Sequence, residues 1–155
     1  MISPLGGPLP AFHLRARLLM VALTATTPAA TACHGCFTMW APSTVTLNFG
    51  DAAWEPGVWQ LEVNGYTQDA LCVVSLPHVD GELVSCGLNA ALSFDADGGV
   101  ASMTLTEFAP DSFSLYLTRD GEEVFQDAFT PSYDLSEPNG HGCGETRTTT
   151  IQVDL

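Results

Sequence analysis

Apolar and polar residues alternate through most of the chain after residue 43, and this period of two constrains the fold more than any other feature. Because successive side chains of a β-strand point to opposite faces, each alternating segment buries one face and exposes the other. The segments recur about every 8–12 residues, and none keeps a helical period. We therefore predict an all-β domain over residues 43–155, an antiparallel sandwich of about 7–9 strands. The side chains expected to face inward are Val45, Leu47 and Phe49; Trp59, Leu61 and Val63; Cys72, Val74 and Leu76; Met103 and Leu105; Phe113, Leu115 and Leu117; Ile151, Val153 and Leu155.

Two dipeptides between alternating segments have the composition of two-residue hairpin turns. Asn64-Gly65 and Asp120-Gly121 combine residues that tolerate the positive φ angles such turns require. Residues 83–94 predict one or two short strands, with a short helical turn as the alternative. The face expected to be apolar in that segment comprises Leu88, Ala90, Leu92 and Phe94.

Residues 1–32 have the order of a secretory signal peptide. Arg15 and Arg17 precede an apolar run, which is followed by small residues and then by Cys33. The run is shorter than the roughly 20 residues that a membrane-spanning helix needs. We expect residues 1–32 to be a helical or disordered signal with an over-long start, and residues 33–42 to be a lead-in or tether.

The end of the signal resembles the lipobox of bacterial lipoproteins. In that family the cysteine after a small residue, here Cys33 after Ala30-Thr31-Ala32, is acylated and becomes the new N-terminus. The same residues also fit ordinary cleavage at an A-x-A site, which would release the protein. We expect a protein of the cell envelope, lipid-anchored through Cys33, with free secretion as the alternative.

The five cysteines are expected to be oxidised or acylated. If Cys33 carries the lipid, four remain, and an even set in an oxidising compartment predicts disulfides. The pairing that we favour joins Cys72 to Cys86 around a short loop and Cys36 to Cys143 across the domain. No cofactor is expected in this interpretation.

A metal site is the alternative use of two of these cysteines. His34-Gly35-Cys36 is echoed by His141-Gly142-Cys143. Two histidines and two cysteines can form a tetrahedral zinc or copper site. The alternative function is therefore a metal-binding envelope protein, although signal cleavage and disulfides already account for the cysteines.

The charge balance excludes several classes of partner. All 18 acidic residues follow residue 50, and Arg119 and Arg147 are the only Lys or Arg after Cys33, so residues 33–155 carry a formal net charge of −16. Nucleic acid binding needs clustered Lys and Arg, and an anionic membrane surface would repel this domain. Membrane contact is expected only through a lipid anchor, and the acids are expected to form a solvated surface.

No arrangement of residues predicts catalysis. Asp95-Ala96-Asp97-Gly98 has the start of a calcium loop but lacks the later ligands, so a hairpin turn is expected there. No Gly-x-Ser-x-Gly segment is present, and the histidines lie in turn-like segments. The aromatic residues expected in loops either close the ends of the sandwich or form a contact surface for protein or carbohydrate; they are Trp40, Trp54, Tyr66 and Tyr133.

Two resemblances agree with this interpretation. Pro56-Gly57-Val58-Trp59-Gln60-Leu61-Glu62-Val63 is similar to the start of a strand in immunoglobulin-like and fibronectin-III-like bacterial surface modules. The signal end and the segment from Pro138 to Cys143 resemble small uncharacterised bacterial lipoproteins. These resemblances imply a sandwich fold, an envelope location and no catalytic residues. We expect a non-enzymatic binding or structural module whose partner is a protein or glycan of the envelope.

Overall fold

Ten β-strands account for the regular structure of the part of the chain that the computed structural model describes, residues 41–87 and 89–155. No helix occurs in these two ranges, so the predicted all-β class is confirmed. The count exceeds the expected 7–9 because the three-residue edge strand β9 lies in a segment without an alternating pattern, while β4 and β5 are the two short strands expected within residues 83–94. The strands are β1 (Thr44–Asn48), β2 (Gly57–Gly65), β3 (Asp69–Leu76), β4 (Ser85–Cys86), β5 (Ala90–Phe94), β6 (Val100–Thr106), β7 (Phe113–Arg119), β8 (Glu122–Phe129), β9 (Asp134–Ser136) and β10 (Thr146–Gln152).

The strands form two five-stranded sheets. The first sheet has the order β5-β6-β1-β10-β9 and the second has the order β4-β3-β2-β7-β8. The expectation of a wholly antiparallel sandwich is wrong at one pair, because β10 lies parallel to β1, with Thr44 opposite Thr148 and Asn48 opposite Gln152. Parallel neighbours need a crossover connection, and here the intervening chain runs through the second sheet before it returns beside β1.

The core lies between the two sheets, where the inward side chains of both form one cluster. Val45, Leu47 and Met103 of the first sheet and Leu61 and Leu115 of the second have no exposed surface. Each such side chain stabilises the fold by about 1.5–3 kcal/mol relative to an exposed one. The inward set predicted from alternation is confirmed, with one exception in the last segment. Leu155 is 51% exposed, since β10 ends at Gln152 and no sheet holds the residues beyond Val153 in register.

The two expected hairpin turns have different outcomes. Asp120 and Gly121 both have positive φ angles, 52° and 88°, and form the turn between β7 and β8. Asn64-Gly65 was wrongly predicted as a turn, because both residues belong to β2 and the turn follows them. A Cβ atom at Gly65 would lie 2.9 Å from the Gln68 carbonyl oxygen and 3.0 Å from the Phe108 ring, so close packing explains the glycine.

The disulfide between β3 and β4 confirms one predicted pairing. Cys72 and Cys86 lie directly opposite each other on the two antiparallel strands, and their Cα atoms are 4.0 Å apart. Cys72 is completely buried. The backbone pairing of only two residues would hold β4 weakly, so the bridge is what fixes this short edge strand to the sheet.

A tyrosine joins two loops at the end of the sandwich where β1 begins. The Tyr133 hydroxyl donates a 2.8 Å hydrogen bond to the Pro110 carbonyl oxygen. Burial, with a smaller contribution from Asp111, raises the pKa of Tyr133 above its ordinary value, and Arg147 opposes this shift. The phenol thus keeps its proton in the folded state at a pH where the unfolded chain loses it.

Replacing Tyr133 by phenylalanine is expected to cost about 0.5–1.5 kcal/mol near neutral pH, because one hydrogen bond is lost. Above the ordinary tyrosine pKa of 10.0 the difference should shrink. The raised pKa makes the wild-type fold lose stability as pH rises, and Tyr133→Phe removes that loss. Urea unfolding of the wild type and of Tyr133→Phe, near neutral pH and above the ordinary tyrosine pKa, measures the effect. A cost that stays constant or grows with pH would contradict the assignment.

Candidate binding surface at the loop end

Four loops meet at one end of the sandwich, which we call the loop end. The register places Asn48 beside Ser102 and Gln152 in the first sheet, and Trp59 beside Arg119 in the second. Trp54 contacts Val100 of the first sheet and Trp59 of the second, so these strand ends lie on the same side. The loops are residues 49–56 between β1 and β2, 77–84 between β3 and β4, 95–99 between β5 and β6, and 120–121 between β7 and β8.

Trp54 anchors the loop between β1 and β2 to both sheets. Its Nε1 donates a 3.0 Å hydrogen bond to the Val100 carbonyl oxygen, and its ring makes edge contacts with Phe49 at 5.3 Å and Trp59 at 4.7 Å. The indole of Trp59 donates in turn to the Glu55 carbonyl oxygen at 2.8 Å. Because both indole N–H groups are bonded, the loop is held in a defined conformation.

The segment weighed as a calcium loop forms a tight turn. One carboxylate oxygen of Asp95 accepts hydrogen bonds from the backbone N–H groups of Asp97 and Gly99, at 2.9 and 2.8 Å. That oxygen closes the turn itself, as aspartate commonly does in turns. In the described part of the chain, no cluster of three or more His, Cys, Asp or Glu could hold a metal ion.

His78 packs against this turn. Its ring stacks on Phe94 with centroids 4.0 Å apart, and its backbone N–H donates to the Gly98 carbonyl oxygen at 2.8 Å. The Nδ1 atom is buried and makes no hydrogen bond. His78 therefore serves to join two loops.

Replacing Gly98 by alanine is expected to destabilise the loop end. Gly98 has a φ of +80°, and a Cβ atom there would lie 2.6 Å from the His78 carbonyl oxygen and 2.9 Å from the His78 nitrogen. Strain of this kind costs about 1–3 kcal/mol. Gly81→Ala is the matched control, because Gly81 also has a positive φ, +93°, but open space around it. Thermal unfolding should show the larger loss for Gly98→Ala, and equal losses would contradict the packing.

An apolar groove of about 110 Å³ opens at the loop end beside the edge strand β8. We call it the tryptophan groove. Two of its lining side chains are partly exposed at its lip, Val124 at 47% and Leu155 at 51%. A more polar cavity of about 210 Å³ lies on the other side of Trp54, against Asp95 and Asp97. The groove is lined by Ala53, Trp54, Trp59, Leu117, Val124, Phe125 and Leu155.

Carboxylates are frequent at this end: Asp95 and Asp97 line the polar cavity, and an acidic residue is next in the chain to three residues that line the groove. Arg119 is the one Lys or Arg of the described residues near the groove, and its guanidinium is paired with Glu55. The remaining acids at this end have no comparable cation, so the surface is strongly negative. Ten of the 18 acidic residues lie in the loops and strand ends here: Asp51, Glu55, Asp80, Glu82, Asp95, Asp97, Asp120, Glu122, Glu123 and Asp154.

The other predicted site residues fall outside this surface. Cys33, His34 and Cys36 lie outside the described residues, as do Trp40 and Leu88. His141 and Cys143 lie in the loop between β9 and β10, and Cys143 is disulfide-bonded. A sulfur in a disulfide is not the thiolate that a zinc or copper ion needs, so no observation favours the metal site.

The tryptophan groove could not be found from alternation, because its lining comes from a loop, three strands and the chain end. Trp54 was the one signal, since its position in a predicted loop marked it as an end-closing or contact residue. The described residues include no helix that is long and apolar enough to cross a membrane. Comparison of the chain with known protein families, curated proteins and solved structures finds no match.

Proposed function

We propose that this chain is an exported, non-enzymatic binding module with an immunoglobulin-like domain, anchored in the cell envelope through an acylated Cys33. The proposal concerns three separate properties: the type of sandwich, the surface that binds, and the route to the envelope. The binding surface and the route to the envelope each have a separate test.

Strand order supports the immunoglobulin-like type. In variable-type immunoglobulin domains one sheet contains C″, C′, C, F and G, and the other contains B, E and D. Taking β1 to β8 as strands B to G in chain order, the second sheet reads C″-C′-C-F-G and one half of the first reads D-E-B. With this assignment Trp59, which is 6% exposed, lies on the strand that corresponds to C, the strand that carries the buried tryptophan in immunoglobulin domains.

The chain also departs from that pattern in two ways. The immunoglobulin disulfide joins strands B and F, but β1 and β7 contain no cysteine, and the bridge here joins β3 to β4. The place beside strand B is taken by β10 rather than by an N-terminal strand. Despite these differences, the loops that follow β1, β3 and β7 lie at one end.

The observation that carries the binding function is this convergence of loops. In variable domains the loops between B and C, C′ and C″, and F and G form the binding surface. The corresponding loops here form the loop end, which bears the tryptophan groove and the largest concentration of charge. A rigid sandwich that presents loops with aromatic and charged residues is suited to binding, while the described residues bring together no nucleophile and base.

Site-specific photocrosslinking in the native envelope tests the binding surface. A photoreactive amino acid replaces either Leu83 at the loop end or Tyr66 at the opposite end. The two positions are matched, because the side chains are 95% and 98% exposed. Adducts are expected at position 83 and not at position 66. Equal yields at both positions, or adducts at position 66 alone, would reject the loop end as the binding surface.

Intact mass of the protein purified from its native envelope tests export and anchoring. We expect a mature chain that begins at Cys33, carries acyl groups and has lost two protons for each disulfide. A chain of the same length without acyl groups would identify free secretion instead. A mature N-terminus within residues 1–20 would contradict the signal peptide.

A further inference from the structure

We infer that the tryptophan groove binds one apolar side chain of a cationic peptide segment that belongs to a partner protein. This inference rests on the proposed binding function and narrows it to one class of partner. Three features of the groove support it: the apolar lining, the carboxylates nearby, and the hydrogen bonds that hold the two tryptophan side chains in place.

The lining of the groove accounts for the apolar anchor. Trp54, Trp59 and Leu117 form its walls, and Val124 and Leu155 stand partly exposed at its lip. At about 30 Å³ per molecule, its volume of about 110 Å³ corresponds to roughly three or four waters. Water next to such a surface has few polar partners, so its replacement by an apolar side chain is favourable.

The charges at the lip account for the cationic partner. Each of three lining residues is followed or preceded in the chain by a carboxylate: Glu55 follows Trp54, Glu123 precedes Val124 and Asp154 precedes Leu155. Among these three carboxylates, only Glu55 is paired with a cation in the described structure. A Lys or Arg that flanks an apolar residue in the groove would therefore find unpaired carboxylates on the residues next to Val124 and Leu155.

The same charges exclude other occupants. A second copy of the chain would bring a net charge of −16 against the same acidic surface, and nucleic acid would be repelled in the same way. A neutral glycan can donate hydroxyl hydrogen bonds to the carboxylates, but it carries no positive charge to complement theirs. A cationic peptide gains from both the charge and the apolar contact, so it is the occupant that the surface fits best.

The walls are already in place before a ligand arrives. Both indole N–H groups are bonded to backbone carbonyl oxygens, at 3.0 Å for Trp54 and 2.8 Å for Trp59. The two rings also pack edge to face. A preformed site loses little conformational entropy on binding, which favours affinity even for a small contact.

Fluorescence anisotropy with labelled peptides tests the inference on the mature full-length chain. The probe is Gly-Lys-Lys-Trp-Lys-Lys-Gly, and two counterparts carry Glu in place of Lys or Ser in place of Trp. We expect the probe to bind at least about tenfold more tightly than either counterpart, a difference of about 1.4 kcal/mol. Its binding should weaken as salt increases, because exposed charges are screened.

Two matched pairs of variants locate the binding. Val124→Thr removes an apolar lip residue, and Val58→Thr is its control, since Val58 is 44% exposed on the outer face of β2 and does not line the groove. Val124→Thr should weaken the probe severalfold and Val58→Thr should leave it unchanged. Both positions are surface positions, and thermal unfolding checks that both variants fold.

The second pair separates local from total charge. Glu123→Lys with Asp154→Lys reverses two charges at the groove, and Glu62→Lys with Glu137→Lys makes the same change in net charge elsewhere. The first pair should abolish most of the binding and the second should reduce it only slightly. Equal losses of binding for the two pairs of charge reversals would overturn the inference. Equal binding of the Trp and Ser peptides, or no binding of the probe, would also overturn it. Crosslinking at position 83 would still support the proposed function in those cases, so the two failures are distinguishable.

Discussion

Replacing Trp59 by alanine is expected to lower the free energy of unfolding by about 3–5 kcal/mol. The side chain is 6% exposed and packs between the sheets at the loop end, where its ring contacts Trp54. The substitution also removes the hydrogen bond to the Glu55 carbonyl oxygen. For a domain whose total stability is typically about 5–15 kcal/mol, such a loss is a large fraction.

Urea unfolding monitored by far-UV circular dichroism measures this loss. Val58→Ala is the control, because the neighbouring side chain on the outer face of β2 is 44% exposed and should cost far less. Trp59→Phe should fall between the two, since it keeps most of the apolar volume and loses the N–H donor. If Trp59→Ala and Val58→Ala cost the same, Trp59 would not belong to the core.

Removing the disulfide between β3 and β4 is expected to cost about 3 kcal/mol. Cys72 and Cys86 are separated by 14 positions, and a bridge that closes a loop of about 15 residues stabilises by about that amount in the chain-entropy model. The double variant Cys72→Ala with Cys86→Ala is the appropriate test. Chemical reduction would not isolate this bridge, because Cys143 is also disulfide-bonded.

The midpoint of urea unfolding reports the loss, and hydrogen exchange reports where it is felt. The two residues of β4 should lose their protection first, because backbone pairing alone holds them weakly. The tryptophan groove should bind its probe unchanged, since it is built from β2, β7, β8 and the first loop. A double variant within about 1 kcal/mol of wild type would mean that the bridge is not a main support of the fold.

These two substitutions affect the candidate surface differently. Trp59→Ala removes a wall of the groove together with part of the core, so binding and stability should fall together. The disulfide variant should lower stability without changing the groove. Val124→Thr should change binding without a large change in stability, so the three variants separate the scaffold from the surface.

The core was largely predictable from the sequence. Alternation identified the inward side chains of six segments, because a strand of period two leaves little choice of face once one face is buried. The prediction failed at Leu155, which follows the last paired residue of β10. It also failed at Asn64-Gly65, where the dipeptide has turn composition but the neighbouring Phe108 ring requires the glycine within β2.

The candidate surface was less predictable. Trp54 and the acidic residues could be seen in the sequence, but nothing there places Trp54 in one groove with Val124 and Leu155, which lie more than 60 positions away. Which residues line the groove together depends on which strands are neighbours. The parallel pairing of β1 with β10 was missed for the same reason, since alternation is identical in parallel and antiparallel strands.

By itself, the sequence determined the class of the domain, most side chains of its core and the excess of acid, and it favoured the pairing of Cys72 with Cys86. These follow from local periodicity, composition and short-range pairing, which do not depend on the arrangement of distant segments. Only the tertiary structure decided the order of the strands, the end at which four loops meet and the formation of the tryptophan groove. Long-range packing decides those features, because the free energy that selects among strand orders comes from contacts between segments far apart in the chain.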